Sequence, residues 1–332
     1  MRIQVTIRLF IISLFISNFT LAHEQPNVQH ALIQGPIKIC AVYPHLKDSY
    51  WLSVNFGMTE QAKQRSISLK VLEAGGYQNT NEQLKQIEQC IAWQANAILV
   101  GSVNFDELDQ KLTQVNKKLP VFALVNEIST DHITARTGVS WYNMGFSLGN
   151  FLANKHKGDT KPYKLAWFPG PKSGGGSSQS TKGLQDALLQ SSIKIVTIKH
   201  GLNEKINQFS LLTDTLAQFN DLDYLAGNAV MAEMAINEVA HTPQNKRPKI
   251  LSHYLSHAVY RGIKRHKILM ANSDQMVLQG VMAIDQAINY LRTGKTEKLL
   301  SPKIIIFNQN NIMKQSPDSS LSPSYFKPIY NI

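Results

Sequence analysis

Cysteine is almost absent. Cys40 and Cys90 are the only two in 332 residues, too few for a disulfide scaffold or a cysteine-rich zinc protein. Charge is also scarce. Asp, Glu, Lys and Arg make up 17% of the chain and hydrophobic residues 43%, whereas an average soluble protein carries roughly 25% charged residues. Disorder requires the opposite balance. There is no glycine period and no heptad run, which excludes collagen and coiled coil, and a single long apolar stretch excludes a polytopic membrane protein. The most glycine-rich segment, 169–178 (PGPKSGGGSS), lacks the Gly-Lys-Ser/Thr ending that sets a lysine on phosphates. No Gly-x-Ser-x-Gly elbow is present. His253 and His257 have helical spacing, but no Glu-x-x-His element completes a metal site with them. These absences argue against an enzyme and against a bound metal or cofactor.

The one long apolar stretch opens the chain. Met1 to Ala22 carries Arg2 and Arg8, then an apolar core from Leu9 to Phe19, then the small-residue end Thr20-Leu21-Ala22. This is the pattern of a secretory signal peptide, and the core is shorter than the ~20 residues that a span needs. Its removal takes two arginines and lowers the formal net charge from +11 to +9. An exported, periplasmic protein is therefore expected. An exported chain rarely meets nucleic acid, and its basic residues are scattered except for Arg261, Lys264, Arg265 and Lys267. That cluster reads either as a solvated face or as an attraction to an acidic partner surface or anionic lipid. If it meets an acidic partner surface, charge reversal there should weaken that association and spare ligand binding.

From residue 37 two textures alternate. Short apolar runs at 37–43, 69–73, 97–100 and 121–125 read as strands buried on both faces. Helical patterns occupy 50–65 and the stretch after Thr80, where Gln83 completes a capping box and Leu84, Ile87, Ile91 and Ala95 recur at helical spacing. The pattern restarts with a short strand at 136–139. Helices follow at 145–155, 183–190 and 209–219, and strands at 165–168, 193–198 and 224–227. Later strands at 250–252, 268–271 and 304–307 belong to one sheet or the other. The expected fold class is α/β, with two doubly wound lobes joined by a hinge and a cleft between them. We expect the first lobe over 23–138, with elements near the C-terminus returning to it, the second over 139–308, and an irregular tail over 309–332. Cys40 lies on the first strand and Cys90 on the second helix. A disulfide and two buried thiols both remain open.

Ligands of open α/β sheets sit beyond the carboxyl ends of the strands. Four of those loops each carry a large aromatic: 44–51 (PHLKDSYW), 75–77 (GGY), 140–142 (SWY) and 253–255 (HYL). Aromatic walls hold quaternary-ammonium-like groups, because methyls bearing positive charge lie well on ring faces; core or lobe-interface packing is the plainer alternative. The loops contain no arginine, which argues against a sugar. Asp274 and Gln275 follow a strand and are expected either to face the cleft or to cap a helix.

These loops also carry a resemblance. Segments 46–58 (LKDSYWLSVNFGM), 69–77 (LKVLEAGGY), 138–145 (GVSWYNMG), 254–265 (YLSHAVYRGIKR) and 272–277 (NSDQMV) resemble the periplasmic sensors of trimethylamine N-oxide within the type I periplasmic-binding-protein family. The likeness runs from about residue 37 to 308. It implies a ligand cage of Tyr50, Trp51, Tyr77, Trp141 and Tyr254, with Asp48 beside it. It implies trimethylamine N-oxide as ligand and the periplasmic sensor domain of a membrane histidine kinase as partner, with control of trimethylamine N-oxide respiration as the outcome. A solute-binding protein that delivers a sugar or a methylated amine to an importer has the same fold and is the competing expectation.

Overall fold

The computed structural model describes residues 30–172 and 175–332. The expected signal peptide lies outside the described residues, as do Ser173 and Gly174 of the glycine-rich segment. The first half runs β1 (Lys38–Tyr43), α1 (Ser49–Gln64), β2 (Ser68–Glu73), α2 (Thr80–Ala92), β3 (Ala97–Val100), α3 (Asp109–Asn116), β4 (Val121–Leu124) and β5 (Ala135–Thr137). The second runs α4 (Trp141–Lys155), β6 (Tyr163–Gly170), α5 (Gly175–Leu188), β7 (Ile193–His200), α6 (Lys205–Gln218), β8 (Tyr224–Gly227), α7 (Ala229–Glu238), β9 (Lys249–Ser252), α8 (His257–Lys264) and β10 (Met270–Ser273). The chain then forms α9 (Met276–Thr293), β11 (Leu299–Leu300) and β12 (Ile305–Asn308).

Two six-stranded sheets result. The first has the order β11-β5-β4-β3-β1-β2 and is parallel throughout. The second has the order β12-β10-β9-β8-β6-β7 and is parallel except where β12 returns against β10. Side-chain alternation along β1 shows why helices cover both faces. Ile39, Ala41 and Tyr43 join the core that α1 and α9 complete, while Cys40 and Val42 join the core under α2 and α3. That alternation also brings Cys40 to Cys90 on α2, and the two form a disulfide with Cα atoms 5.6 Å apart, the state expected of an oxidising compartment.

Several elements differ from the sequence reading. The strand expected to begin the second repeat, β5, instead pairs with β4 in the first sheet, and the second repeat begins at α4. Helices α3, α7, α8 and α9 escaped the periodicity. Of these, α7 is short and starts at once after β8, with the Asn228 side chain accepting from the Met231 N–H at 2.9 Å.

The chain passes between the sheets four times: from β5 to α4, from β10 to α9, from β11 to β12, and from β12 to the final segment beside β2. After leaving the second sheet, α9 packs on α1 of the first. The two helices approach so closely that a Cβ on Gly57 would lie 2.0 Å from the Val277 carbonyl oxygen, and one on Gly280 would lie 2.4 Å from that of Val54. Only glycine permits this approach. Segment 309–332 has little regular structure, yet its end runs along the outer edge of β2. Val71 donates to the Tyr330 carbonyl at 2.7 Å, and Leu69 and Ile332 exchange backbone bonds of 3.1 and 2.9 Å. The tail thus covers an edge that would otherwise offer unpaired backbone groups.

Candidate ligand-binding site

A cavity of about 80 Å³ lies between the carboxyl ends of the two sheets. One water needs roughly 10–15 Å³ on this kind of measure, so the space suits a small organic solute. Asp48, Tyr50, Trp51, Tyr77, Trp141 and Tyr254 all line it. They come from four separate segments: the start of α1, the loop after β2, the start of α4 and the loop after β9.

Local chemistry places each ring. Asp48 caps α1, its Oδ1 accepting from the Trp51 N–H at 3.1 Å, and so holds Tyr50 and Trp51 in the first helical turn. Gly101, after β3, leaves room for the Trp51 indole, since a Cβ there would lie 2.3 Å from its Cη2. Trp51 also stacks on Tyr43 at 5.2 Å between ring centroids. Ser140 caps α4 through the Asn143 N–H at 3.3 Å, which puts Trp141 at the helix start. Tyr254 meets Tyr50 edge to face at 5.4 Å and 81°, and Trp141 at 6.4 Å and 84°. Rings from both lobes therefore meet at near right angles as the walls of a box.

The hydrogen bonds sort the polar atoms of these walls. The Tyr50 hydroxyl donates to Asp274. The Trp51 indole N–H donates to the Tyr77 hydroxyl oxygen at 3.0 Å. Both donors are thereby engaged by protein acceptors. The Trp141 indole N–H is buried and has no partner, and a buried unpaired donor is costly unless something fills its place. Burial raises the Tyr50 and Tyr254 hydroxyls well above the ordinary tyrosine value and that of Tyr77 to about 12, so all three stay neutral. Among the described residues no lysine or arginine lines the cavity, whereas Asp48 and Glu127 do.

Asp274 does not face the cleft. It is fully buried behind Tyr50, where it also accepts from the Gln279 amide at 2.7 Å. Gln275 begins α9 in the left-handed region at φ 56°; its side chain donates to the Lys303 carbonyl at 2.8 Å and makes no cap bond. His253 and His257 do not form a metal site: among the described residues no group of three or more His, Cys, Asp or Glu could hold an ion. His257 instead spans the lobes. Its Nε2 donates to the Ser322 carbonyl at 2.8 Å, and its Nδ1 shares a 2.5 Å hydrogen bond with the Ser49 hydroxyl. Arg261, Lys264, Arg265 and Lys267 are exposed at the end of α8, and Arg261 lines an outer cavity of about 440 Å³ that shares Asp48, Tyr50, Tyr77 and Tyr254 with the inner one.

His253 lies between Trp141 and Trp167, with ring centroids 5.6 and 5.3 Å away, and burial lowers it to about 4. The unfolded chain takes up that proton near 6.5, so stability from this group is complete above pH 6.5 and falls as the pH drops toward 4. The expected loss is about 3 kcal/mol. Asp274, whose carboxyl burial raises, acts in the opposite direction. Urea unfolding at pH 7 and pH 4.5 should show most of this loss in the wild type and much less of it in His253→Asn. An equal loss in both would assign the acid sensitivity to other groups.

Ser102 to Asn104, Asn126, Glu127 and Asn203 also line the cavity, and the sequence reading missed them. They follow β3, β4 and β7, so the strand-end rule applied to every strand would have found them. The signal used instead was aromatic content, which these loops lack. The turn after β4 has a further mark: Val125 holds φ 65°, a strained value for a β-branched residue, and this aims Asn126 and Glu127 at the cavity.

Residues 37–329 match the family model described as periplasmic binding proteins and sugar binding domain of LacI family. The periplasmic protein TorT of Escherichia coli (strain K12) is 40% identical over 315 residues, which are 92% of this chain and 90% of that protein. A crystal structure of the TorS sensor domain–TorT complex in the presence of TMAO superposes with a TM-score of 0.81 at 38% identity, covering 89% of this chain and 99% of that one. An ABC transporter solute-binding protein from Bradyrhizobium sp. BTAi1 with bound bis-tris gives 0.79 at 38% identity and covers 92% of each chain.

Proposed function

The chain belongs to the periplasmic binding proteins and, within them, to the TorT family, and from this premise we propose that it binds trimethylamine N-oxide between its lobes and reports occupancy to the periplasmic domain of a TorS-like histidine kinase, so controlling respiration on that compound. The observation that carries the reading is the box of rings with one unpartnered indole N–H and no basic residue among its described walls. Trimethylamine N-oxide has three methyls around a positive nitrogen and one strongly accepting oxygen. Ring faces suit the methyls. With the Tyr50 and Trp51 donors engaged elsewhere, the oxygen falls to the Trp141 indole N–H and to the Tyr77 hydroxyl, whose own proton remains to give. In this reading Asp48 orients Tyr50 and Trp51 and faces the positive end.

No bond of the ligand changes, and no enzyme activity is part of the reading. Export by the N-terminal signal sequence is part of it. Because both lobes supply walls, ligand favours the closed arrangement, and the population of that arrangement is what the kinase reads. The coupling is reciprocal: kinase binding changes ligand affinity by the same factor. The Bradyrhizobium relative supports a second reading, delivery of an amine to an importer. Calorimetric titration of the mature protein with trimethylamine N-oxide, glycine betaine and ribose separates the two. Saturable binding of the N-oxide with none of ribose supports the sensor; binding of betaine or ribose without the N-oxide supports the importer.

A further inference from the structure

We propose that Glu127, beside Asp48, reads the ligand's positive charge, and so helps to separate an onium centre from neutral and anionic molecules of the same shape. The inference rests on the onium-ligand reading above. Glu127 lines the cavity directly. The strained Val125 turn aims it there, and the two residues before it are held in place: the Val125 N–H donates to the Thr137 carbonyl at 2.8 Å, and the Asn126 side-chain amide donates to the Ser102 carbonyl at 2.7 Å. Its Oε1 accepts from the backbone N–H of Trp141 at 3.3 Å, in the first turn of α4, so the carboxylate is tied to the residue whose indole bears the free donor. That contact also crosses between the lobes, since Glu127 follows β4 of the first sheet while α4 packs against the second. Arg136, the nearest opposing charge, is spent on the carbonyls of Ile128 and Thr130 and on Asp131 and does not line the cavity. A half-buried carboxylate in an aromatic box with no described cation favours positive charge and rejects a carboxylate.

The chemistry predicts a charge-reading pattern. Trimethylamine N-oxide and tert-butanol share three methyls and an oxygen on a four-coordinate centre, and only the first has a positive centre. Glycine betaine has the onium group and a carboxylate as well. Titrating wild type, Glu127→Gln and Glu127→Asp with these three and with tetramethylammonium tests the assignment. Gln keeps an oxygen for the Trp141 N–H and removes only the charge. We expect Glu127→Gln to lose at least about 10-fold in affinity for the N-oxide and for tetramethylammonium, to gain on betaine, and to leave tert-butanol unchanged, with Glu127→Asp in between. Unchanged N-oxide affinity and unchanged selectivity in Glu127→Gln would overturn the inference while the functional reading stands. No N-oxide binding by the wild type would instead overturn that reading. An equal loss for all four ligands would assign Glu127 a purely structural role and likewise overturn the inference.

Discussion

Replacing Trp141 by phenylalanine is expected to weaken trimethylamine N-oxide binding by about 10- to 100-fold while the protein remains folded. Phenylalanine keeps an aromatic face beside Tyr254 and His253 and removes an indole N–H that is buried and unpartnered. A hydrogen bond to a charged oxygen contributes roughly 1.5–3 kcal/mol, which sets the size of the loss. The same change removes an orphaned polar group from the empty protein, which offsets part of the volume lost from a larger ring. Thermal unfolding without ligand should therefore shift little, and the ligand-induced rise in midpoint should shrink. Calorimetry gives the first quantity and scanning unfolding the second. Full affinity in Trp141→Phe would transfer the oxygen to Tyr77, and Tyr77→Phe would then carry the loss.

A large effect on stability is expected at Gly57. A methyl there would sit 2.0 Å from the Val277 carbonyl oxygen, inside any allowed contact, and the obstacle is backbone on a second helix rather than a side chain that can turn away. Gly57→Ala must push α9 off α1, so its cost should reach or exceed the upper end of the roughly 1–3 kcal/mol typical of overpacking. Because α9 is also the crossover that leaves β10, the displacement should alter lobe closure as well. Urea unfolding measures the first effect and small-angle scattering with and without ligand the second. Gly35→Ala is the control, since nothing lies within 4 Å of its added methyl. A cost at Gly57 no larger than at Gly35 would show that the two helices do not need their close approach.

The aromatic loops were legible because each ring lies a few residues beyond an apolar run, and strand-end geometry turns such positions toward one cleft. Glu127 was not legible, because nothing in VNE announces a left-handed valine. That conformation is held by the Thr137 and Leu124 carbonyls around it, which are contacts and not composition. Asp274 was misplaced for a related reason. Its position after a strand is right for the cleft, but Tyr50 stands in front of it and takes its carboxylate. Helix α9 escaped because its buried face includes Gln279, Gly280 and Gln286, residues that interrupt an apolar period; the Gln286 oxygen accepts from the Thr137 hydroxyl and the Gln279 amide donates to Asp274.

The alternation of strands and helices from β1 to β3 and from α4 to β8, the burial of both sheet faces and the export pattern follow from the chain alone, because apolar periodicity is a local property that a segment carries within itself. So does the supply of rings beside the strand ends. Which sheet each late strand joins, the pairing of Cys40 with Cys90, and the orphaned indole N–H of Trp141 were decided only by tertiary structure. Each depends on two segments far apart in sequence meeting at a few ångströms, and no single segment contains that information.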